Sequence, residues 1–355
     1  MIDYLVYGNS NTTGFGIHCR NIIKALCNAG KTVAFMPVQG IEYQKIDNKY
    51  IEMALNNRAY VTHSEPAIAI YHSCLDFKGK PRMGFAIFET SKIREKEIEY
   101  YSGLDVVLVP SLWGKNILIQ NGVMESKIKI IHEGYDPDMI GLPERNEYVL
   151  MRAKNRGYYT FLHVGKWEKR KSTAAICKAF IAACNNTGIA ATLKLKVNNP
   201  FNLAWQQEFI TVCTEIAYGR IELLKNELTE KEMRYVYRDA DFGLYASCGE
   251  AWNLPLLESI VSGLPCITTS WTGQGEYLQN YPKELLLQKG ETETASDGLF
   301  FKGDVGNWIK PDLEEMIEKI CYVLQNAGQV LSKVRPRCVE SVKFFTWDAA
   351  IRGFL

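Results

Sequence analysis

Two carboxylates, Glu250 and Glu258, are separated by seven residues in the stretch 247–269, which reads SCGEAWNLPLLESIVSGLPCITT. Its residue types predict a loop, a short helix over Leu254–Ser262, a turn and a strand. Asn253 suits the N-cap, Pro255 the first turn, where its missing N–H is not needed, and Gly263 the position after the C-cap. Glu250 then stands just before the helix, where free N–H groups and the positive end of the dipole favour a phosphate. Glu258 stands about one turn inside, with Leu254 and Val261 as same-face neighbours. A carboxylate on so apolar a face is not simply solvated. Taken alone, a pair of this spacing is more often a capped helix with a structural salt bridge, so the rest of the chain has to decide.

Four cations, Lys166, Lys169, Arg170 and Lys171, lie in GKWEKRKS, between a predicted strand and a predicted helix. That placement makes either a phosphate clamp or a solvated basic loop. Thr13-Gly14-Phe15-Gly16 follows the first predicted strand and opens onto a helix, so its glycines could admit a diphosphate or sugar to backbone N–H groups. It is neither G-x-G-x-x-G nor followed by a Walker lysine, and an ordinary tight turn is the alternative. His72 and Glu89 fall at the ends of predicted strands Ala67–Tyr71 and Met83–Phe88, where open parallel sheets place their ligands. His18, His63 and His132 have no partner by spacing and are read as core or surface histidines. A further glycine-rich turn, SWTGQGEYL, follows the strand after the acidic stretch.

These residues need elements to hold them. At 355 residues the chain is long enough for two domains, and 47% hydrophobic with 23% charged residues describes a globular composition. Lys plus Arg number 41 against 40 for Asp plus Glu, so there is no global field to draw nucleic acid and any phosphate binding is local. The ten cysteines form no C-x-x-C pair or zinc-like cluster, which fits a reduced, cytoplasmic compartment. No run reaches membrane-spanning length, leaving peripheral contact as the sole membrane role.

Strands predicted at 2–7, 33–38, 67–71, 83–88, 105–111 and 128–131 alternate with helical patterns, notably Cys19, Ile22, Ile23 and Leu26. The stretch 141–158 is polar, charged and weakly periodic, and is read as the interdomain linker. Alternation restarts with strands at 159–164, 191–197, 220–224, 242–246 and 267–269. Residues 281–306 show no usable pattern; helices follow over 311–325 and from Gln329 to the end. The expectation is an α/β chain of two doubly wound Rossmann-like domains facing across a cleft. Residues 1–145 form the first, 159–335 the second, and 336–355 a C-terminal helix crossing back to the first.

Read in order, TGFG, FETSKI, VLVPSLWGKNILIQNGV, IHEGYD, HVGKWEKRKS, DADFGLYASCGEAWNLPLLESIVSGLPCITT and FFTWDAA resemble segments of the GT-B glycosyltransferases. The chain is similar to glycosyltransferase family 4, the retaining, nucleotide-sugar-dependent branch, over nearly its whole length. The resemblance implies transfer of a hexose from a UDP- or GDP-sugar to a glycan, lipid-linked or protein-linked acceptor, with no cofactor and no metal required. By that resemblance Glu258 accepts hydrogen bonds from the ribose hydroxyls, and Glu250 orients the donor sugar. Lys166 and Lys171 grip the diphosphate, which Gly14, Phe15 and Gly16 face from the other domain. Ala251, Trp252, Asn253 and Leu254 complete the donor pocket; Ala251 and Asn253 stand where members often carry glycine, and Lys166 where they often carry Arg. Glu89 is at a position where many members carry His, with His72 as the alternative acceptor-side residue. A sugar-nucleotide epimerase of the same fold and a non-catalytic nucleotide-sugar-binding protein are the competing readings.

Overall fold

The computed structural model describes residues 1–11, 13–38, 49–70, 76–140, 146–199, 204–213, 218–224 and 228–355. The chain folds as two units, Met1–Asp136 with Phe344–Leu355, and Pro137–Lys343.

In the first unit the strands are β1 (Tyr4–Gly8), β2 (Val33–Pro37), β3 (Ala67–Ala69), β4 (Arg82–Phe85), β5 (Val106–Val109) and β6 (Ile128–Ile130). They pair in the order β2-β1-β3-β4-β5-β6, all parallel. Leu5, Val6, Ala34, Phe35, Val107 and Leu108 are fully buried, as expected of short apolar strands covered on both faces. The helix Gly14–Asn28 buries the predicted stripe Cys19, Ile22, Ile23 and Leu26.

The second unit contains β7 (Tyr159–Lys166), β8 (Ala191–Asn198), β9 (Gly219–Leu223), β10 (Phe242–Tyr245), β11 (Cys266–Thr269) and β12 (Leu286–Leu287), and also a hairpin of β13 (Gly290–Thr294) and β14 (Asn307–Pro311). The sheet order is β12-β11-β10-β7-β8-β9, again all parallel. The order reverses between β7 and β10. Loops leaving the carboxyl ends of those two strands therefore flank one crevice, the usual place for a ligand in such a sheet.

Four expectations need correction. Strand β4 stops at Phe85 and β3 at Ala69, so Glu89 lies in the loop beyond β4; His72 lies outside the described residues. The supposed linker contains a helix, Asn146–Arg156, that belongs to the second unit. It buries just Val149 and Ala153, one turn apart, and its Arg156 pairs with the buried Asp241; so narrow an apolar stripe left little periodicity to read. The hairpin was missed because Gly290–Thr294 is polar and mostly exposed. Finally, the C-terminal helix is broken. Arg335–Val342 stays with the second unit, while Thr346 caps a new helix, Trp347–Phe354, that packs on Gly14–Asn28 in the first.

Candidate active site

The acidic stretch forms the elements its residues predict. Strand β10 delivers the chain to the loop, and the helix runs Leu254–Val261. It ends in a Schellman turn: Gly263, at φ +97°, donates to Ile260 O at 2.9 Å and Leu264 donates to Ser259 O at 3.0 Å. Asn253 occupies the N-cap position but does not cap with its side chain. Its backbone is left-handed, φ +75°, and its amide instead donates to Gln274 Oε1 at 2.8 Å.

Glu250 is 4% exposed and sits between two cations. Arg170 Nη1 is 2.8 Å from Oε2 and Lys171 Nζ is 2.6 Å from Oε1. Burial alone would push the Glu250 carboxyl up, but Arg170 and Lys171 outweigh it and hold it at about 2, below an ordinary 4.5. Burial pulls the Lys171 ammonium below its usual range, with Glu250 opposing. The cations arrive there because β7 and β10 are neighbours: the basic loop follows one and the acidic loop the other. A backbone bond from Cys248 N–H to Arg170 O, 2.7 Å, joins the loops directly.

The four cations of the basic loop separate. Arg170 and Lys171 turn to Glu250. Lys169 pairs with Glu293 of the hairpin at 3.1 Å and lies over the Trp308 ring, while Lys166, the last residue of β7, lies 5.2 Å from the Phe300 ring centroid. Sequence reasoning named Lys166 and Lys171 as the cations for a diphosphate and gave Arg170 no role of its own; in the structure Arg170, with Lys171, is a partner of Glu250.

Glu258, 7% exposed, accepts a 2.6 Å hydrogen bond from Tyr237 Oη through Oε2. Leu254 and Val261 flank it and are buried, as the helical spacing predicts. Ala251 and Trp252 are buried too; Trp252 packs on Tyr277 with ring centroids 5.1 Å apart, so its indole is a support and not an exposed platform.

A second layer fixes the loop. Thr272 Oγ1 accepts from Glu250 N–H at 3.0 Å, Gly273 donates to Glu250 O at 2.8 Å, and Tyr277 Oη donates to Asn253 O at 3.2 Å. A Cβ on Gly273 would stand 1.8 Å from Ala251 O, so only glycine fits there. Beneath Lys171, His163 is fully buried and bonded to Leu244 O at 2.7 Å; burial lowers it to about 4, leaving it neutral at physiological pH. Neither His163 nor the residues 272–277 were singled out as site residues from sequence.

In the first unit, Gly14, Phe15 and Gly16 are the first turn of the helix and not a loop before it. A Cβ on Gly14 would meet nothing within 4 Å, whereas one on Gly16 would stand 2.0 Å from Asn11 O. Gly14 thus lines open space and Gly16 serves the close packing of the chain. Arg20 anchors the same backbone, donating to Ser10 O at 3.2 Å and to Asn11 O. Glu89 is half-buried in the loop beyond β4. His18, for which spacing offered no partner and which was read as a core or surface histidine, is a core residue in a buried pair with Glu133 at 3.1 Å, beside Phe85 and Trp347.

No known family profile matches the chain. Uncharacterized protein 356 of Sulfolobus islandicus rod-shaped virus 1 is 22% identical over 281 residues, 77% of this chain and 74% of that protein. Among solved structures, sucrose-phosphate synthase of Thermosynechococcus elongatus superposes with a TM-score of 0.68 at 16% identity, spanning 100% of this chain and 97% of its own. A glycosyltransferase of Rickettsia africae gives 0.68 at 13% over 99% and 96%. HepE of Anabaena, solved with UDP and glucose, gives 0.64 at 10% over 100% and 98%. With two six-stranded parallel sheets matched end to end, the chain has the GT-B fold, two Rossmann-like domains, of these glycosyltransferases.

Proposed function

We propose that the protein is a glycosyltransferase of the family 4 type that moves a hexose from a nucleotide diphosphate sugar to an acceptor with retention of configuration. The observation that carries this reading is the second unit's crevice. A charged Glu250 and its cations stand on the loops that leave two strands flanking a strand-order reversal, and Glu258 lies one turn inside the helix that follows.

In this reading Glu258, steadied by Tyr237, accepts from the ribose hydroxyls, and Glu250 orients the sugar hydroxyls. Lys166 and Lys171 neutralise the diphosphate as its bond to the anomeric carbon breaks. The acceptor oxygen attacks on the face the diphosphate leaves, and a diphosphate oxygen takes the acceptor's proton, so no metal is required. Ala251, Trp252, Asn253 and Leu254 supply the donor pocket's wall and backbone. Of Gly14, Phe15 and Gly16, Gly14 has open space beside its Cα for a ligand, and Glu89 or His72 is the acceptor-side residue. The acceptor is a glycan, free or carried on lipid or protein. Of the two nucleotides, UDP is favoured by the solved neighbour that holds UDP and glucose. The cytoplasm is the proposed compartment, on the cysteine usage of the sequence.

Thermal shift against UDP- and GDP-sugars comes first, since a ligand of the folded state raises the melting temperature by mass action. Transfer to an acceptor panel follows. Donor turnover that needs no acceptor would favour an epimerase; binding with no turnover would favour a binding protein. Glu258→Ala is expected to raise the donor KM more than it lowers kcat, and unchanged donor binding would sink the ribose assignment.

A further inference from the structure

The two cations that hold Glu250 differ in what else holds them. Arg170 is anchored through both terminal nitrogens of its guanidinium: Nη1 donates to Gly249 O at 2.9 Å and meets Glu250 Oε2 at 2.8 Å, and Nη2 meets Glu168 Oε1 at 2.7 Å. Its own carbonyl accepts from Cys248 N–H, so moving it would open the joint between the two loops. Lys171 reaches Glu250 Oε1 at 2.6 Å through a rotatable stem, and its ammonium is a point donor with no fixed fork. Charges in the cluster balance, Glu168 and Glu250 against Arg170 and Lys171.

That balance sets a condition on the reading above, on which this inference rests. A diphosphate taking Lys171 draws it off a buried carboxylate, and a buried carboxylate stripped of its partners is strongly unfavourable. Glu250 would then keep Lys171 for itself unless a second cation remained. We infer that Arg170 is the standing partner of Glu250, a positioning residue that lets Lys171 exchange the carboxylate for the donor's diphosphate. The division of labour follows from side-chain type: the guanidinium that bridges Glu250 and Glu168 stays and the single ammonium on its rotatable stem moves.

The test is a double-mutant cycle on nucleotide binding, which needs no acceptor and no turnover. Wild type, R170M, E250Q and R170M/E250Q are titrated with UDP and with GDP by calorimetry, with the fold of each checked by its melting curve. R170M is expected to bind the nucleotide about tenfold or more weakly than wild type, because Lys171 stays on Glu250. Removing the carboxylate as well frees Lys171, so R170M/E250Q is expected to bind within about threefold of E250Q. R170K, which keeps the charge and loses the fork, carries the test if R170M does not fold, with an expected loss of about threefold that E250Q again cancels. A simple structural role for Arg170 would lower the melting temperature and leave the two losses additive; that result, or unchanged affinity in R170M, overturns the inference. Binding of neither nucleotide by wild type would instead overturn the donor reading itself, and this inference with it.

Discussion

Glu250 stays ionised in a dry place because two cations face it. Burial favours its neutral form, Arg170 and Lys171 favour the anion, and the cations win, with the folded pKa near about 2 against an ordinary 4.5. A folded pKa below the unfolded one gives stability that is fully present above about pH 4.5 and is lost as the pH falls toward 2. The size is on the order of 3 kcal/mol at neutral pH. Glu250→Gln removes the titrating group and is therefore expected to be markedly less stable than wild type at pH 7, with the gap closing between pH 4.5 and 2. Urea unfolding of both proteins across that range measures it. A gap that does not change with pH would mean Glu250 is not the titrating group. The neutral His163 below Lys171, with a pKa of about 4, titrates within the same acid range, so the comparison must be made between variants and not from the wild-type curve alone.

At the scale of elements, two glycines in one helical turn separate packing from access. Gly14→Ala adds a methyl to open space and is expected to be neutral or to stabilise by up to about 1 kcal/mol, as alanine does in a helix. Gly16→Ala drives a methyl into Asn11 O and is expected to destabilise by about 2 kcal/mol or more. Urea midpoints decide, and equal losses at both positions would refute the assignment. If the donor approaches this turn, Gly14→Ala weakens donor affinity while leaving stability intact. The same contrast explains how far the sequence could be read. The helix Leu254–Val261 was legible within a residue because its signals, Pro255 and Gly263, are local. The buried stripe of Gly14–Asn28 was legible for the same reason. Arg170, Thr272, Gln274 and Tyr237 were not, because what each touches is set by sheet order. The basic and acidic loops lie some eighty residues apart in sequence and meet only through the pairing of β7 with β10. Asn253 was assigned to the correct position and the wrong job: its backbone is left-handed instead of extended, and its side chain turns to Gln274 on another loop, which the local sequence does not reveal.

At the scale of the whole molecule, the chain leaves the first unit at Asp136 and returns to it at Phe344, so that unit is completed by its last twelve residues. Those residues are part of its core and not a tail. Trp347 and Ile351 are 3% and 1% exposed, and Trp347 lies 5.0 Å from the His18 ring, over the His18–Glu133 pair. Tyr135 N–H donates to Phe345 O at 3.0 Å, and a Cβ on Gly134 would come within 2.4 Å of the backbone at Thr346 and Trp347. Two fully buried side chains contribute about 1.5–3 kcal/mol each, and uncovering the His18–Glu133 pair adds to the loss. Their sum is a large share of the roughly 5–15 kcal/mol that holds a domain together. Ending the chain after Lys343 is therefore expected to destabilise the first unit while sparing the second, whose sheets and loops are completed within Pro137–Lys343. Hydrogen exchange read by peptide shows which unit fails: protection should fall over 14–28 and 128–136 and persist over 159–171 and 242–269. Loss of protection in all four segments would mean that the second unit cannot stand without the first. Unchanged protection over 14–28 would mean that the helix Trp347–Phe354 contributes nothing to it. If the second unit does stand, the proposed donor site, with Glu258 and Lys171, is intact in the truncated protein, and the proposed function then predicts nucleoside diphosphate binding without sugar transfer, which divides donor binding from transfer within one chain.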